Sequence, residues 1–145
     1  MKNRTETLEF LRSYQTQLHE ARLLSEQLRE LEEVVTRITP YLNQGVQVVR
    51  GPNLHKLEQS VERLEALRGE LAQKLDAVAQ AQARVVVAIE LLEDERTRQM
   101  MRARYLLGKT WVEIGQMLDM DERWLRRQHA RALERICVEE AHPAA

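Results

Sequence analysis

Apolar residues recur every three or four positions along most of this chain. Leu11, Tyr14, Leu18, Ala21, Leu24, Leu28, Leu31, Val35 and Ile38 fall on one stripe of a helix. The stripe predicts a helix over 5–38, about 50 Å long at 1.5 Å per residue. "TPYLNQG" is expected to end it, because Pro40 disfavours a helical Thr39 and Gly45 loosens the backbone. A second stripe of similar length follows: Leu54, Leu57, Val61, Leu64, Leu67 or Arg68, Leu71, Leu75, Val78, Val85, Ile89 and Leu92. Two such stripes are expected to face one another in an antiparallel helical hairpin, a coiled coil over 1–92 with its linker at 39–52. "GVQVV" within the linker has the composition of a short extended stretch. "RVVVAIELL" carries β-formers at Val85 to Val87, yet helical periodicity continues on both sides of it and places it in the second helix.

After Leu92 the pattern shortens. Gly108 stands where a helix ends on a residue of positive φ. Thr110 and Glu113 have the spacing of a capping box. A short helix, "WVEIGQML", is then followed by "DMD", where Asp119 tolerates a left-handed turn and Asp121 can cap the next helix. Ile114, Leu118, Met120 and Leu125 point inward in this frame, Gly115 is small where two helices cross, and Ala132, Leu133 and Ile136 extend the buried face. The expected fold is all-α: the long hairpin, a helix-turn-helix domain over 93–138, and a tail at 139–145.

Charged residues make up 31% of the chain and aromatics only 4%, so most burial has to come from helix seams. A hairpin core of that kind is narrow, and self-association, as a dimer, is the expected way to cover more apolar area. Net charge is −1, which gives no global attraction to a polyanion. Between Arg102 and Arg135, however, eight basic residues face five acidic ones, so positive charge is concentrated on the short helices. The single cysteine, Cys137, excludes an internal disulfide. With no apolar run near ~18–20 residues and charges across the first ten positions, the expectation is a soluble cytoplasmic protein without a membrane span.

Arg123, Arg126 and Arg127, with Arg131 and Arg135 further along, lie opposite the buried positions of the last helix. A guanidinium there can bond a phosphate or fork onto guanine O6 and N7 in the major groove. Lys109, Arg104 and Arg131 are expected to hold phosphates, and Arg123, Arg126 and Arg127 to read sequence. At these residues, "RARYLLGKTWVEIGQMLDMDERWLRRQHARALERI" resembles region four of sigma factors. The whole chain is similar to the phage-encoded ArpU and RinA late-transcription regulators. The resemblance implies a sequence-specific reader of double-stranded DNA, a phage or prophage transcription regulator with a recognition helix over 121–136 and with RNA polymerase as a further partner. It maps base reading onto Glu122, Arg123, Arg126 and Arg127, with Glu122 acidic where primary sigma factors carry a basic residue.

Other chemistry finds little support. His19, His55, His129 and His142 are scattered, and Cys137 with His142 is too sparse for zinc, which takes about four ligands. "LLGKT" lacks the preceding glycine of a phosphate loop. Ser13, Ser25 and Ser60 fall within the long helices without a catalytic motif, so neither enzymatic activity nor a cofactor is expected. Trp111 is expected to pack across the short helices, whereas Trp124 can pack on the domain or touch a DNA backbone. Two other assignments fit the same elements: a small terminase subunit, with a ring of subunits, and a coiled-coil protein-interaction module that does not bind DNA.

Overall fold

The computed structural model describes residues 3–44 and 52–136 of the chain, and among them it is all-helical. Five helices are present there: α1 Arg4–Gln44, α2 Pro52–Glu90, α3 Glu95–Tyr105, α4 Trp111–Leu118 and α5 Glu122–Arg135. No helix among the described residues is long and apolar enough to cross a membrane.

The helix expected to stop near Ile38 continues through Pro40 to Gln44, so the linker is shorter than 39–52. An interior proline removes one i→i−4 hydrogen bond and crowds the preceding turn at a cost of about 3 kcal/mol. Helices can absorb that locally and continue. The segment "GVQVV" lies outside the described residues. "RVVVAIE" is helical to Glu90, in keeping with its periodicity.

The chain divides into two compact units, Met1–Leu18 with Ala77–Ala145, and His19–Asp76. The division falls within the long helices.

In unit His19–Asp76, α1 and α2 run antiparallel. Glu20 pairs with Lys74 at 2.6 Å and Glu32 with Arg68 at 3.3 Å, so rising numbers on one helix meet falling numbers on the other. Ala21, Leu64 and Leu67 form the buried seam. The second stripe passes through Lys74, whose side chain is only 27% exposed, and not through Leu75, which is 52% exposed. Either residue is reached from Leu71 by a three-four step. The lysine stem can cover apolar surface while its ammonium reaches Glu20.

The other unit takes its core from both ends of the described chain. Phe10 and Leu11 of α1, and Val85, Ala88 and Ile89 of α2, join one cluster with Met100, Met101, Ile114, Leu125 and Leu133. Burying each of the larger side chains, Ala88 apart, stabilises the unit by about 1.5–3 kcal/mol relative to exposure. The Arg84 guanidinium lies 5.2 Å from the centre of the Phe10 ring. Arg98 closes the α2–α3 corner by donating to the carbonyls of Leu92 and Glu93. Asp94 caps α3, accepting from the Thr97 amide at 3.1 Å and its hydroxyl at 2.7 Å. The Thr97 hydroxyl and then its amide hold the Asp94 carboxyl below its ordinary pKa.

Candidate nucleic-acid interface

Two tight turns aim the last helix. At the first, Gly108 has φ +69°, a left-handed conformation that costs other residues roughly 1–2 kcal/mol. The Lys109 amide then donates to Ala103 O at 3.0 Å. Arg104 donates to Lys109 O at 3.0 Å while its guanidinium covers the Trp111 ring at 4.9 Å. From α1, Gln15 Nε2 donates to Leu106 O at 3.0 Å and to Tyr105 O at 3.4 Å. The turn is thereby held from both sides.

The capping box forms as the sequence predicts. The Glu113 amide donates to Thr110 Oγ1 and the Thr110 amide to Glu113 Oε1, both at 3.2 Å. The amide bond, then the hydroxyl, lowers the Glu113 pKa.

At the second turn Asp119 takes φ 51° and ψ 56°, the left-handed role anticipated for it. The Met120 amide donates to Gly115 O at 2.9 Å. A Cβ at Gly115 would stand 3.0 Å from the Met120 carbonyl oxygen, so a side chain there would press the turn backbone outward by a few tenths of an ångström. Asp121 holds the N-cap position of α5, but its side chain makes no capping hydrogen bond, contrary to the capping role expected of it. The backbone alone starts the helix, with the Leu125 amide donating to Asp121 O at 3.0 Å.

α5 is divided cleanly by polarity. Leu125, Ala132, Leu133 and Ile136 are buried, while Glu122, Arg123, Arg126, Arg127, Arg131 and Arg135 are exposed. Glu122 and Arg126 form an ion pair of 2.9 Å one helical turn apart. Among the described residues no ion pair is formed by Arg123, Arg127 or Arg131. Lys109 is half-exposed and lies 3.9 Å from Glu113. Arg104 is occupied within the fold by the turn and by Trp111. Of the residues expected at the interface, the helix therefore brings Glu122, Arg123, Arg126, Arg127 and Arg131 to one surface, and Arg104 acts chiefly as a support of the turn.

Trp124 is half-buried against the core, with the Arg96 guanidinium 5.2 Å from its ring centre. Of the two roles expected of it, packing on the domain is present.

His129 was the residue most easily passed over. Its Nε2 shares a 2.5 Å hydrogen bond with the Tyr105 hydroxyl, and its ring meets Trp111 edge-on at 4.8 Å. Burial, and then the charges of Arg104, Arg4 and Arg12, push its pKa down to about 4. Near neutral pH the ring is uncharged, so Nε2 can accept from the Tyr105 O–H. Burial also raises the Tyr105 pKa. The signal for this inward role was its four-residue step from Leu125 and its three-residue step to Ala132.

Among the described residues no group of three or more His, Cys, Asp or Glu is placed to hold a metal ion. Cys137 and His142 lie outside them. No known protein family, curated protein or solved structure matches the chain.

Proposed function

We propose that the protein is a sequence-specific DNA-binding protein, a transcription regulator of the phage or prophage type, in which α4 and α5 form a helix-turn-helix and α5 enters the major groove. The observation that carries this reading is the arginine face of α5, exposed on the side opposite its buried stripe. Arg123, Arg126 and Arg127 sit in the first two turns, where a helix docked end-on meets base edges. Lys109 and Arg131 flank them as phosphate contacts.

The long helices serve self-association in this proposal. Leu23 and Leu75 are more than half exposed in unit His19–Asp76, whose described seam buries Ala21, Leu64 and Leu67. A second copy would cover more apolar surface, and a two-fold dimer would present two recognition helices to half-sites about one or more helical turns apart.

The test is selection of bound duplex from a random pool, followed by affinity measured across a salt series. Arg126→Ala is expected to cost about 1–3 kcal/mol on the selected site and to relax preference at one base. Lys109→Ala is expected to weaken all duplexes alike and flatten the salt slope by about one. Retardation untouched by both substitutions, or no salt-dependent affinity at all, removes the reading.

A further inference from the structure

The acidic residue on the arginine face asks for its own account. Glu122 lies in the first turn of α5, where a carboxylate is favoured by the helix dipole, and that alone would make it a structural residue. Its carboxylate is committed further: Oε1 accepts from Arg126 at 2.9 Å, with the two side chains 50% and 70% exposed. Arg123 and Arg127, on the same surface, are exposed. One guanidinium of the arginine face is therefore paired with a carboxylate while its exposed neighbours Arg123 and Arg127 are in no ion pair among the described residues.

We infer that Glu122 is a specificity-determining residue that works as a pair with Arg126. The inference rests on the DNA-reading function proposed above and deepens it by naming the bases sought. A carboxylate carried into the groove is repelled by phosphates on every sequence, and its bond to Arg126 draws that guanidinium away from indiscriminate phosphate contacts. Both penalties are offset only where the groove offers the carboxylate a donor and the guanidinium two acceptors. Cytosine N4 is the donor that a carboxylate reads, and guanine O6 and N7 are the fork that an arginine reads. The four-residue spacing advances about 6 Å along the helix, which keeps the two contacts within one or two base steps. The preferred site accordingly contains a guanine read by Arg126 and, one or two base steps away, a second G·C pair whose cytosine is read by Glu122.

The experiment uses the full chain. Wild type, Glu122→Gln and Arg126→Ala are each taken through selection from a random duplex pool. Each is then measured against the wild-type selected duplex and a scrambled duplex at one salt concentration, with far-UV circular dichroism recorded to verify the helices. Glu122→Gln is expected to bind scrambled duplex several-fold more tightly. Its selected-to-scrambled ratio should fall about tenfold, in the range that one good base contact supplies. It should lose the second G·C pair from its selected sequence while keeping the pair whose guanine Arg126 reads, and Arg126→Ala should lose that guanine. If Glu122→Gln keeps both the ratio and the second G·C pair, or if no second G·C pair lies within two base steps of the guanine lost with Arg126, the pairing role is overturned while the DNA-reading function stands. If wild type selects no sequence, both fall together.

Discussion

Replacing Gly108 by alanine tests the joint between α3 and α4 in two separable ways. The residue sits at φ +69°, where an L side chain costs roughly 1–2 kcal/mol. The added Cβ would also lie 3.3 Å from Gln15 Oε1 and 3.4 Å from its Cδ, close enough that the glutamine has to shift. Gln15 holds Leu106 O at 3.0 Å, and losing one such bond costs about 0.5–1.5 kcal/mol. The expected loss for Gly108→Ala is therefore about 2–3 kcal/mol. In a Gln15→Ala background only the backbone cost remains, about 1–2 kcal/mol, leaving a coupling of about 1 kcal/mol between the two positions. Urea unfolding followed by far-UV circular dichroism measures all four proteins of the cycle, with the slope checked for constancy. A loss under about 0.5 kcal/mol in the wild-type background would contradict the left-handed assignment of Gly108. An identical loss in both backgrounds would refute the role of α1 in bracing the turn.

Asp119 at φ 51° predicts a rank order in thermal unfolding. Glycine there is expected to hold stability or gain up to about 0.5 kcal/mol, and valine to lose about 1–2 kcal/mol. A tolerated valine would contradict the turn geometry. His129 predicts a pH dependence. Its pKa is about 4 in the folded chain against roughly 6.5 unfolded, so the unfolded state binds more protons between those values and stability falls as pH drops. The contribution is fully present above about pH 6.5 and progressively lost toward about pH 4. It amounts to about 1–2 kcal/mol after discounting for solvent around the half-buried ring. Urea unfolding of wild type and His129→Gln from pH 7 to 4.5 measures it, and equal declines in the two proteins would refute the assignment.

Local chemistry made the short helices legible. Gly108, the Thr110–Glu113 box, Asp119 and the stepping of Ile114, Leu125, Ala132 and Ile136 each act within a few residues of themselves, and the structure places them as their types require. Reading failed where the deciding partner is distant in sequence. Lys74 turns inward because Glu20 awaits it across the seam, a fact that hydropathy at position 74 cannot carry. Arg104 counts as a free cation until Trp111 and the Lys109 carbonyl occupy it. His129 is polar on any scale, yet Tyr105 and Trp111 hold it facing inward, half-buried. Pro40 shows the opposite failure, a strong local signal outweighed by the helix it interrupts.

The bond from Gln15 to Leu106 spans 91 positions of sequence, and the cluster around it draws on Leu11 as well as Leu133. During synthesis, residues 3–18 emerge long before 93–136 and cannot reach their final setting until the later segment has left the ribosome. Excising 93–136 as a stand-alone fragment would strip one wall from its interior, so α5 comes as part of a clasp that closes only when the start of α1 and the end of α2 are present.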